Sequence, residues 1–109
     1  MDELIQKLQC IACENPSGFT VTLPNLEPVK SGWIVALKET QNCFNVFGLR
    51  KALEVAQKTS KIIGGWLEDD KFYWDASMVY KNREDAIKAG IENEQIAIFN
   101  IETAELLYL

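Results

Sequence analysis

Residues 61–80, KIIGGWLEDDKFYWDASMVY, constrain the fold more than any other stretch. The second half alternates strictly. Phe72, Trp74, Ala76, Met78 and Tyr80 fall on one side; Tyr73, Asp75, Ser77 and Val79 fall on the other. Successive side chains of a strand point to opposite faces, so a pattern of period two this long predicts a strand. Glu68, Asp69, Asp70 and Lys71 supply a charged turn, and the whole stretch predicts a β-hairpin. Gly64 and Gly65 in the first arm mark a bulge or a close backbone approach. An isolated hairpin is at best marginally stable in water, so the remaining chain must add strands and helices to cover one face.

The flanking segments supply them. Over residues 2–14, Leu4, Ile5, Leu8, Ile11 and Ala12 recur at helical spacing, with Asp2 and Glu3 at the positive end of the helix dipole. NPSG at 15–18 ends that helix. FTVTL at 19–23 alternates as a half-buried strand, PNLEPVKSG at 24–32 is a loop, and WIVAL at 33–37 is a more deeply buried strand. A second helix spans about 46–59, with Asn45 as its N-cap and Glu54–Lys58 as an i,i+4 ion pair. Asn82 caps a third helix, with Asp85 in the position of a capping-box acid. QIAIFNI at 95–101 is a buried strand that pairs with ELLYL at 105–109. The chain is therefore expected to be a single α+β domain over residues 1–109. Three helices pack on a mainly antiparallel sheet of five or six strands. The expected core includes Leu8, Ile11, Phe19, Val21, Ile34, Val35, Leu53, Ile62, Trp74, Ile87, Ile96 and Ile98.

Composition removes several function classes. The chain has 109 residues, 48% of them apolar, and a formal net charge of −5. Scattered Lys and Arg among more numerous acids disfavour nucleic-acid binding. There is no histidine, which removes the commonest general base and the usual Ser-His and Cys-His arrangements. Cys10-x-x-Cys13 lies inside an expected helix, and only Cys43 is left over, short of the four ligands of a structural zinc site. Both residues are expected to pack or sit idle near the core edge, as small hydrophobes. Glu68–Asp70 lacks the ligand spacing of a calcium loop, and Gly64-Gly65 lacks the Lys-Ser/Thr of a phosphate loop. No catalytic residue, metal or cofactor is implied. The odd cysteine count and the absence of a basic leader or a long apolar run point to a reducing cytoplasm and no membrane association.

Two features remain as binding candidates. KETQNCFN, residues 38–45, is a long polar connection between strand and helix, and Glu39, Gln41 and Asn42 offer carboxylate and amide groups for recognition. Aromatic residues concentrate in the sheet, and alternation sets Tyr73 on the opposite face from Trp74. If that face is open, Trp66 and Tyr73 belong to an aromatic interaction surface.

GFTVTL, SGWIVALKETQNCF, IIGGWLEDDKFYWDAS and REDAIKAGIENEQIAIFNIET together resemble a family of small uncharacterised proteins from phages and integrative elements of gut bacteria. The resemblance covers most of the chain after residue 18. It carries no catalytic residue with it. It implies a mobile-element setting, in which small acidic proteins often act by binding a host factor. The leading expectation is a non-enzymatic module that binds another protein through Glu39, Gln41, Asn42, Trp66 and Tyr73. One alternative is a small-ligand or enzymatic domain with a pocket closed by residues 38–45, using Glu39 or Asp75 as acid or base. Another is a structural homodimer formed through the open sheet face or the C-terminal edge strand.

Overall fold

A computed structural model describes residues 2–109. The elements run α1 (Asp2–Glu14), β1 (Phe19–Thr22), β2 (Trp33–Ala36), a 3₁₀ turn (Lys38–Thr40), α2 (Asn45–Lys58), β3 (Ile62–Glu68), β4 (Lys71–Tyr80), α3 (Arg83–Glu92), β5 (Ala97–Asn100) and β6 (Leu106–Tyr108). The six strands form one sheet in the order β1-β3-β4-β2-β5-β6, and every pair is antiparallel. The fold is α+β, with three helices and six strands, as the hydrophobic periods predict.

The expected hairpin is the spine of this sheet. Glu68 pairs with Lys71, and Asp69 and Asp70 between them have φ of 51° and 65°. Positive φ at both central residues is the type I′ geometry whose twist suits a two-residue hairpin, and aspartate tolerates it. Residues Lys71–Ala76 of β4 pair with β3, and Ser77–Tyr80 pair with β2. The long strand therefore joins two halves of the sheet.

All three helices cover one face. Ile5 and Leu8 of α1 and Leu49, Ala52, Leu53 and Ala56 of α2 pack with Val21, Ile63, Trp74 and Ala76. Ala86 and Ala89 of α3 pack with Trp33, Val35 and Ile98. Register places these strand residues together: Val21 lies opposite Ile63, Ile63 opposite Ala76, and Val35 opposite Met78. Leu8, Leu49, Leu53 and Ile63 are fully buried, and each is worth about 1.5–3 kcal/mol relative to exposure. The alanines of α2 and α3 let the helix backbones approach the sheet closely. Asn82 caps α3 by accepting from the N–H groups of Glu84 and Asp85.

Four expectations are corrected. Ile96 is 80% exposed, because it lies before β5, which begins one residue later. Ile11, Phe19, Ile34, Ile62 and Ile87 are half-buried rather than central. Asn45 does not cap α2: Phe44 holds the cap position without a side-chain bond, and Asn45 is the first helical residue with φ of 61°. Cys10 and Cys13 are both exposed, since the buried stripe of α1 runs through Ile5 and Leu8.

Candidate functional site: a looped-out ladder and an aromatic ridge

Residues 37–44 are the point where β2 leaves the edge of β4 and returns to it. Ala36 pairs with Ser77, so an uninterrupted ladder would set Thr40 against Tyr73. Phe44 forms that bridge instead, so four residues are looped out. The excursion is closed at both ends. Leu37 N–H donates to Ala76 O at 2.8 Å, and Trp74 N–H donates to Cys43 O at 2.7 Å. Between them Thr40 turns inward and is 3% exposed. Its hydroxyl donates to Leu37 O and accepts from the Ala76 N–H, standing in for the missing ladder bond. Buried backbone donors must be paired, and here a threonine side chain completes the pairing.

The rest of the loop is docked on the end of α3. Asn93 Oδ1 accepts from the Lys38 N–H at 3.2 Å, and Gln41 Nε2 donates to Glu94 O at 3.4 Å. Asn42 has φ of 60°, a left-handed conformation that asparagine accepts readily. Glu39, Gln41 and Asn42 are exposed. Gly48 of α2 sits so close to the Cys43 backbone that a Cβ there would overlap it. Sequence reasoning missed Thr40, the residue of KETQN that faces inward. No local pattern marks it, because the Ala76 N–H that it serves lies on β4, 36 residues away.

Beyond the loop, the face turned away from the helices carries an aromatic row in which Phe44 and Tyr73 are half-buried and Trp66 is exposed. Trp66 pairs with Tyr73 across the hairpin, and their ring centroids are 5.9 Å apart. Phe44 meets Tyr73 edge-on at 5.8 Å. The Lys71 ammonium lies 4.7 Å from the Phe44 centroid, within cation–π range. Trp66 remains 43% exposed, and Phe47, in the first turn of α2, is 82% exposed. A second aromatic cluster, Phe19, Phe72 and Trp74, lies on the opposite face. Gly65 makes room for Phe72 there: a Cβ at Gly65 would overlap that ring. The structure thus brings Trp66 and Tyr73 together and joins them to the loop through Phe44.

Asp75 and Ser77 continue the row of Tyr73 along β4. The Ser77 hydroxyl donates to Asp75 Oδ1. Gly64 lies opposite Asp75, and a Cβ there would stand 2.7 Å from Phe19 O and 3.6 Å from Asp75 Oδ1. Burial pushes the Asp75 carboxyl above its ordinary range, and the Ser77 hydrogen bond opposes that rise. Burial likewise pushes the Cys43 thiol up; the Lys51 charge opposes this and the Asp75 charge adds to it. A thiol held protonated is a poor nucleophile. Two open grooves flank α1, one lined by Glu3, Gln6, Lys7, Cys10, Ile11 and Leu26, the other by Ile11, Asn15, residues of β1 and the loop after it, and Ile101 beyond β5. Neither contains Glu39, Asn42 or Asp75. Among the described residues no three His, Cys, Asp or Glu side chains are grouped to hold a metal ion, and no helix is long and apolar enough to cross a membrane. No family model, curated protein or solved structure matches the chain.

Proposed function

We propose that the chain is a non-enzymatic binding domain that engages another protein, a host factor. The contact surface is the ridge Phe44–Tyr73–Trp66, with Lys71 at one end and the exposed Glu39, Gln41 and Asn42 leading into it. One observation carries this reading: three aromatic rings are held in a row on the face the helices leave free. Tyr and Trp supply large, stiff contact area and are enriched where proteins meet. Their rings are already ordered by mutual packing, which lowers the entropy lost on binding. The acidic hairpin tip, Glu68–Asp70, favours a partner with basic residues beside its apolar contact.

The test compares the wild-type chain with a Trp66→Ser/Tyr73→Ser variant and a Gln41→Ala/Asn42→Ala variant in capture from host-cell lysate. Any captured protein is then purified and titrated against all three by calorimetry. The ridge variant is expected to lose at least tenfold in affinity while keeping the wild-type circular dichroism spectrum. Equal affinity of wild type and ridge variant for every captured partner would sink the assignment of the surface.

A further inference from the structure

The two edges of the sheet are built differently. At β1 the outer edge is covered by the loop that follows it: Thr22 N–H donates to Glu27 O, Val29 N–H donates to Thr20 O, and Val21 bridges Pro28. At β6 no strand or loop is bonded along the outer edge among the described residues. Asn100 N–H donates to Glu105 O, and Leu109 N–H donates to Ile96 O. Inward and outward groups alternate along an antiparallel strand. Residues 105, 107 and 109 therefore face β5 with their backbone groups, and Leu106 and Tyr108 turn theirs outward. Natural edges are normally blunted by Lys, Pro or a bulge. Residues 95–109 contain no Lys, Arg or Pro.

The side chains at this edge are apolar as well. Phe99 is 38% exposed, Leu106 51% and Tyr108 70%, all on the face away from the helices. Ile91 and Ile96 are also exposed, and Leu109 packs against Gly90 at the same margin.

We infer that β6 is the interface of a two-fold homodimer in which two copies of the chain join their sheets edge to edge. A two-fold axis through Leu107 sets Leu106 opposite the partner's Tyr108 and Tyr108 opposite the partner's Leu106. Both are hydrogen-bonded positions in that register, so every outward group of the two residues is paired and four backbone bonds form. Side chains match in the same register. Leu106 packs on the partner's Tyr108, an aromatic–aliphatic cross-strand pair of the kind that stabilises sheets. The row Phe99–Leu106 then runs unbroken across the axis. Glu105 lies opposite the partner's Leu109 in this register, and the two Glu105 carboxylates lie roughly 14 Å apart along the strands, from two residues of rise on either side of the axis. The edge is complementary to itself in hydrogen bonding and apolar pattern, which selects a second copy as its occupant. The interface lies beyond β2 and β5 from the aromatic ridge and shares no residue with it.

The experiment is sedimentation equilibrium on the full chain from about 1 µM to about 200 µM, a span covering micromolar affinity. The wild type is expected to rise to twice the 12.4 kDa of one chain. Leu106→Pro removes an N–H that already faces outward, so it spares the bonds to β5 and is tolerated on an edge strand. Tyr108→Lys places an ammonium against the partner's Leu106 and keeps the backbone intact. Both are expected to weaken association at least tenfold while the urea midpoint of dilute protein stays at the wild-type value. If Leu106→Pro fails to fold, Tyr108→Lys decides alone. A monomeric wild type across the whole range, or a dimer that survives Tyr108→Lys, overturns the inference.

Discussion

Replacing Thr40 with valine tests how residues 37–44 are held. The two side chains have nearly the same shape, so the substitution removes the hydroxyl and little else. Thr40 Oγ1 is the partner of the buried Ala76 N–H at 3.2 Å. Leu37 O keeps another donor, the backbone N–H of Thr40 at 3.1 Å. One buried donor is therefore orphaned, and Ala76 is fully buried, so water cannot replace the hydroxyl. Leaving one partner of a buried hydrogen bond unsatisfied costs about 1–3 kcal/mol, which is the expected loss. For a chain of this size that lowers Tm by roughly 4–15 °C. Thr40→Ser keeps the hydroxyl and loses one buried methyl, which costs about 1 kcal/mol. Urea unfolding followed by circular dichroism gives both values, and an unchanged slope would show that the unfolded state is unaltered. If Thr40→Val falls within about 0.5 kcal/mol of wild type, the ladder closes directly between Ala76 and Leu37, and the hydroxyl is dispensable. If serine is as damaging as valine, the methyl and not the hydroxyl holds the loop.

Three further outcomes follow from the geometry. The Asp75 carboxyl is pushed up in the folded state, so the native chain holds that proton more tightly than the unfolded chain. Its ionisation removes stability as pH rises from the unfolded value of about 3.9 through the folded one, so Asp75→Asn should gain over wild type between about pH 4 and pH 7 in urea midpoints; an equal loss at both pH values contradicts this. Asn82→Ala should cost about 1 kcal/mol in thermal melts, because Asn82 accepts from two amides at the start of α3; a neutral result would mean that water caps the helix as well. Ile96→Asp should change the stability of dilute protein by less than about 0.5 kcal/mol, whereas Ile98→Asp should cost more than about 4 kcal/mol, since Ile98 is 1% exposed. Equal urea midpoints for these two variants would misplace the start of β5.

What the sequence made legible was local. The alternation of residues 71–80, the acidic turn and the Asn82 cap each depend on neighbours along the chain, and each stands where the pattern puts it. Ile96 shows where such reasoning stops. Ile98 is buried in β5, whereas Ile96, two residues earlier, lies before the strand begins and is exposed. A period-two pattern says which face a side chain joins, but not where the strand begins. Asn45 shows another limit: asparagine serves both as a cap and as a left-handed residue, and only the path of the chain from Phe44 decides between them. The order of strands and the role of Thr40 were hidden because they depend on partners distant in sequence. Of the binding candidates, Trp66 and Tyr73 were legible as one pair through hairpin register. Their link to Phe44 required the strand β2 to resume after an interruption, which no composition rule encodes.

The interruption has a consequence for how this chain tolerates change in length. Four residues are looped out between Ala36 and Phe44. Residues 38–42 lie outside the ladder, so the face that Phe44 takes is set by its bridge to Tyr73 and not by the length of the excursion. Insertions among the exposed residues Gln41 and Asn42 are therefore absorbed by the loop as long as Leu37 and Cys43 keep their bonds to β4.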